Sequence, residues 1–121
     1  MPGFSQSSLK YLGECHADLQ KVAHEAIRTY DFKVICGHRG KEAQNKAYAA
    51  GNSKLKYPDS KHNKAPSLAM DCTPHPLDWE DIAAFKAMGE AIKSAARRVG
   101  VKISWGGDWK SFKDYPHFEL P

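Results

Sequence analysis

The 121 residues are enough for one compact domain and leave no room for a second. With 41% hydrophobic and 26% charged residues, and with no repeat, low-complexity tract or long charge block, the composition is that of a globular chain. A formal charge of +4 and a pI of about 9.0 favour anionic partners, whether nucleic acid, phospholipid or an anionic wall polymer, without choosing among them. The start, Met1-Pro2-Gly3-Phe4-Ser5-Gln6, has no basic stretch followed by an apolar run, so synthesis in the cytosol without a secretory signal is expected. No segment approaches the roughly 20 apolar residues of a membrane span.

In chain order, Leu9, Leu12, His16, Leu19, Ala23 and Ala26 recur at steps of three and four, which predicts one helix over about 7–29 with a buried stripe. Ser7 or Ser8 is placed to cap it, and His16 falls on the stripe as a packed histidine. Phe32–Cys36 reads as a strand ended by Gly37, and Lys41–Ala50 as a short helix stopped by Gly51. From Gly51 to Pro66 there is no periodicity, which marks a long exposed loop of the kind that often carries function. Leu68–Thr73 is the next strand. Asp78 then stands where it would cap a helix with a stripe of Ile82, Phe85, Gly89, Ile92, Ala96 and Val99, stopped by Gly100. Val101–Trp105 and His117–Leu120 complete the strands. Mixed helices and strands without strict alternation predict an α+β fold: a single domain over 1–121, with a small, mainly antiparallel sheet packed against two main helices.

The chemistry-bearing residues narrow the function. His24-Glu25-Ala26-Ile27 begins the HExxH pattern of a helical zinc site, but position 28 is Arg, so the second ligand is missing. A second constellation is complete. His62 lies in the long loop, Asp71 in the following strand and His117 in the last one; two imidazoles and a carboxylate suit a catalytic zinc site, which keeps one position open. His117 and Glu119, two apart in a strand, share a face, so Glu119 can accept the other ring N–H of a ligand histidine. Asp114 reaches the same place only if Pro116 turns the chain. The three cysteines, Cys15, Cys36 and Cys72, have no CxxC spacing and read as free buried thiols. Trp105 and Trp109 flank Gly106-Gly107-Asp108 and either line a cleft or simply pack.

Four segments carry a resemblance: Cys36-Gly37-His38-Arg39, Ser60-Lys61-His62-Asn63, Pro66-Ser67-Leu68-Ala69-Met70-Asp71 and Asp114-Tyr115-Pro116-His117-Phe118-Glu119. In this order they resemble the motifs of the LAS metallopeptidases, a group that includes VanY-type D-alanyl-D-alanine carboxypeptidases and phage L-alanyl-D-glutamate endopeptidases. The run from Ser60 to Ile82, with Gly106-Gly107-Asp108-Trp109 downstream, is most similar to the phage endolysins. The resemblance implies a LAS-type fold, a catalytic core over about 31–121, and one zinc ion on His62, Asp71 and His117. It implies Asp114 as the acid/base, Arg39 aimed at substrate or oxyanion, and Ser60 and Gln44 near the substrate. The implied substrate is the stem peptide of bacterial peptidoglycan, cut by a monomer that reaches the wall from the host cytoplasm after holin-type release. Two departures stand out. His62 and Asp71 are nine apart where the shorter form of the motif has seven, and Gly40 stands where many relatives have Ser or Thr.

Two other functions fit the sequence less well. A carboxypeptidase of the same fold would need a closed pocket with a cation for a free carboxylate. A basic nucleic-acid-binding module would show a nucleic-acid motif, and none is present.

Overall fold

A computed structural model describes residues 3–121. Its elements in chain order are helices α1 (Gln6–Gly13) and α2 (Ala17–Ala26), strand β1 (Phe32–Cys36), helix α3 (Lys41–Ala49), strand β2 (Ala69–Pro74), helix α4 (Ile82–Val99), and strands β3 (Ser104–Trp105) and β4 (His117–Glu119). Single 3-10 turns lie at Lys61–Asn63 and Gly106–Asp108. The strands form one antiparallel sheet in the order β1-β2-β4-β3, so the fold is α+β as expected.

Alternation along the strands sorts the side chains onto two faces. Phe32 and Val34 of β1, Met70 and Cys72 of β2 and Phe118 of β4 are all at most 1% exposed and form one core with Leu19, Val22, Phe85, Met88 and Ile92 of the helices. α1 packs on β1, α2 on α4, and α4 on β2 and β3. Burying a side chain the size of Phe or Leu is worth about 1.5–3 kcal/mol, so this face supplies much of the stability. The opposite face presents Asp71, His117 and Glu119.

The N-terminal segment is two helices, not one. α1 begins at Gln6 with Ser5 as its cap, whose Oγ accepts from Ser8 N, so neither Ser7 nor Ser8 has that role. After Gly13 the chain breaks, and His16 becomes the cap of α2, its Nδ1 accepting from Asp18 N at 3.0 Å. The break is stabilised from a distant part of the chain: Ser67 N donates to Glu14 O at 2.9 Å and His16 N to Ser67 O at 2.8 Å. Leu9, on the expected stripe, is 46% exposed. The long helix α4 starts at Ile82, capped by Asp81 and not by Asp78, and ends at Gly100 with φ 74°, a left-handed conformation that suits glycine. Its buried side is Phe85, Met88, Gly89, Ile92, Ala95 and Ala96, while Ile82 at its start is exposed. Among the described residues no helix is long and apolar enough to cross a membrane.

Candidate metal centre

Antiparallel pairing places Asp71 of β2 directly opposite His117 of β4, and Ala69 opposite Glu119. Residues opposed in this way share a face, so the carboxylate and the imidazole meet without help from a loop. A register irregularity between Val34 and Cys36 then sets Cys36 of β1 opposite Asp71 on the other side. His62 arrives on the 3-10 turn. Ser60 caps that turn: its Oγ accepts from His62 N at 3.2 Å, and its own N–H donates to Asn63 Oδ1 at 3.0 Å, a reciprocal capping box.

His62 is 1% exposed. Its Nδ1–H donates to Gly37 O at 2.7 Å, so Nε2 points the other way, 3.2 Å from Asp71 Oδ1. His117 is held in the mirror sense. Nε2 pairs with Glu119 Oε1 at 2.7 Å, and Nδ1 lies 3.3 Å from the same Asp71 oxygen. The two rings meet edge to face with centroids 5.1 Å apart.

This crowding has clear electrostatic consequences. Burial alone would lower the His62 pKa, but hydrogen bonds from Asp71 and Cys36 more than offset it and raise the ring to about 10. His117 moves up in the same way: burial lowers it, Asp71 and Glu119 raise it further. Burial pushes the Asp71 carboxyl up, yet bonds from His117 and His62 hold it well below the usual carboxylate range. A metal ion binding here must displace the protons from these nitrogens, so its affinity would rise with pH.

Cys36, His62 and Asp71 bring donor atoms within 4.8 Å of one another and could hold a metal ion. Cys36 Sγ lies 3.9 Å from His62 Nδ1, the nitrogen that faces Gly37 and not the one that faces Asp71. The donor set at Asp71 is two imidazole nitrogens and one carboxylate oxygen, which fits zinc in a catalytic site with an open position.

The centre lies in a cleft of about 480 Å³ lined by residues of the 51–66 loop, by Trp79 and by the loop before β4. Asp114 lines this cleft. Its backbone is fixed by Asp114 N donating to Gly106 O at 3.0 Å and by His117 N donating to Asp114 O at 3.1 Å, the turn that Pro116 permits. Gly106 is required there, since a Cβ would stand 2.2 Å from Asp114 O. Burial raises the Asp114 pKa above its ordinary value and Asp71 adds to this, with His117, His62 and Arg39 opposing. Arg39 Nη2 donates to the outer oxygen of Asp71 at 3.4 Å.

A sequence profile described as phage L-alanyl-D-glutamate peptidase matches residues 2–119. This chain belongs to that family. It is 37% identical to the L-alanyl-D-glutamate peptidase of Escherichia phage T5, across 97% of this chain and 88% of that one. It is 30% identical to the peptidoglycan L-alanyl-D-glutamate endopeptidase CwlK of Bacillus subtilis, across 94% and 74%. The crystal structure of the Serratia marcescens L-Ala D-Glu endopeptidase ChiX superposes with a TM-score of 0.84 at 32% identity, covering 98% of this chain and 89% of that one. The LAS-type architecture expected from the motifs is therefore the architecture found.

Within the family fold, the expected site residues divide into two groups. His62, Asp71, His117, Asp114, Arg39, Ser60, Glu119 and Trp109 all line the cleft, and the Trp109 ring sits 5.2 Å from that of His117. Gln44 and Trp105 do not line it. Gln44 is fully buried, with its amide donating to Ser53 Oγ and Leu55 O and its Oε1 accepting from Asn63. Trp105 lies behind the site: its indole N–H donates to Tyr115 O at 2.7 Å and its ring stacks on Phe118, with Gly89 and Gly107 leaving room for it.

Three contributors escaped the sequence reading. Asn63 ties the site together, receiving Ser60 N and donating to Arg39 O and Gln44 Oε1; its signal was the Ser-x-x-Asn spacing of a capping box. Lys61 Nζ pairs with Glu119 Oε2 at 3.2 Å and donates to Leu120 O, joining the turn to β4. Gly37 supplies a carbonyl, which no side-chain pattern could reveal.

Proposed function

We propose that this chain is a zinc peptidase that hydrolyses the L-alanyl–D-glutamate bond of the peptidoglycan stem peptide. Membership of the family and the names of its phage and bacterial relatives support the bond and the substrate. The observation that carries the metal assignment is the convergence of His62 Nε2 and His117 Nδ1 on one oxygen of Asp71. His117 is preferred to Cys36 as the third ligand because one imidazole cannot offer Nδ1 and Nε2 to the same ion. Cys36 lies on the Nδ1 side of His62 and Asp71 on the Nε2 side.

Gly37 O and Glu119 orient the two rings so that His62 Nε2 and His117 Nδ1 both face Asp71 Oδ1, and these three atoms would hold the metal. A zinc ion held there would supply Lewis-acid chemistry, an acidified water near neutral pH and polarisation of the carbonyl to be attacked. Asp114 accepts a proton from the attacking water and passes it to the leaving nitrogen. Its burial, by raising its pKa, brings proton release and uptake closer to neutral pH. Arg39, anchored on the outer oxygen of Asp71, offers its remaining N–H groups to the negative charge that develops on the attacked carbonyl.

The relationship to a phage peptidase supports action on the bacterial wall; synthesis in the host cytoplasm, holin-type release and a monomeric state are part of this proposal. Purified peptidoglycan sacculi incubated with the zinc-loaded protein, followed by mass spectrometry of new termini, test this reading. New amino-terminal D-glutamate is expected. Release of D-alanine alone would instead make the chain a carboxypeptidase, and no release at all would remove the hydrolase reading.

A further inference from the structure

The bond proposed above has a chemical consequence for its leaving group. A glutamyl residue has two carboxyl groups and uses only one to continue a chain, so the other remains as an anion a few bonds from the nitrogen being released. A peptidase for this bond must tolerate or recognise that charge beside the proton donor.

Three non-histidine cations line the cleft: Arg39, Lys54 and Lys61. Arg39 is held by Asp71 at 3.4 Å, and Lys61 by Glu119 at 3.2 Å. Lys54 has no carboxylate partner among the described residues. Its Nζ lies instead over the Phe112 ring, 5.0 Å from the centroid. That contact joins the 51–66 loop to the loop before β4. Holding an ammonium against an aromatic face also lowers the entropy cost of using it later.

Position strengthens the case. Phe112 is two residues before Asp114, a chain distance of at most roughly 7 Å. Asp114 delivers the proton to the leaving nitrogen, so its side of the cleft is where the released residue lies.

We propose that Lys54, held over Phe112, is a specificity-determining residue that pairs with the free carboxylate of the leaving glutamyl residue. This rests on the peptidase reading above and extends it to the leaving-group subsite.

Two synthetic muropeptides, differing only in whether that free group is a carboxylate or a carboxamide, provide the test. The readout is the ratio of kcat/KM for carboxylate over carboxamide, measured with the zinc-loaded full chain. The native protein is expected to favour the carboxylate by about five- to tenfold, as suits a partly exposed ion pair, and less so at high salt. Lys54→Met is expected to bring the ratio toward one and Lys54→Glu to bring it below one. A native ratio of one, or a ratio that neither variant changes, would overturn the role of Lys54 alone. Cleavage of neither peptide by the native chain would overturn this role together with the hydrolase reading.

Discussion

The two faces of one small sheet do opposite work with alternate residues of the same strands. Met70, Cys72 and Phe118 point into a dry core, where shape and volume decide stability. Asp71, His117 and Glu119, their immediate neighbours in sequence, point into the cleft and concentrate charge. The core face tolerates hydrophobic exchange of similar volume, whereas the cleft face depends on which nitrogen or oxygen stands where. A strand thus allows function and stability to be changed separately, residue by residue, and the comparison can be broken from either side.

The largest effect is expected from Asp114→Asn, which removes the proton carrier and leaves the ligands alone. Turnover of wall fragments should fall about 10²- to 10⁴-fold with zinc content and thermal midpoint maintained. Unchanged turnover would remove Asp114 from its role. On the core face, Phe118→Ala should lower stability by about 3–5 kcal/mol in urea titration, because its cavity is walled by the Trp105 ring and the helices. If it lost activity at full stability, the division between the faces would fail.

A smaller change is expected at Glu119→Gln, which keeps the shape but weakens the acceptor that orients His117. Zinc affinity measured by competition with a chelator should drop about 10- to 100-fold. The mildest test is pH alone. In the metal-free protein His62 is raised from 6.5 to about 10, so the folded state favours its charged form. That contribution to stability is fully present below about pH 6.5 and is lost as pH rises through about 10. Urea midpoints of chelator-treated protein should therefore decline across that interval; a flat or rising profile contradicts the protonated pair.

Much of the site was legible because strand alternation is a local rule. That Asp71 and His117 come together, and that His117 and Glu119 share one face, was readable from spacing and motif alone. What stayed hidden depends on contacts between distant segments. The break at His16 is invisible in a stripe that continues through it, since the backbone groups it frees are satisfied by Ser67. The nearness of Cys36 to His62 depends on an irregularity in the β1–β2 register, and the place of Trp105 behind the site depends on the missing side chain at Gly89. Gln44 was expected near the substrate, but it is buried because the 51–66 loop needs its amide.

Anomalous diffraction at the zinc edge from zinc-loaded crystals addresses the centre directly. A single peak about 2.0–2.2 Å from His62 Nε2, Asp71 Oδ1 and His117 Nδ1 is the predicted result. A peak on Cys36 Sγ with His117 left out, or zinc bound elsewhere with these three side chains turned apart, would contradict it.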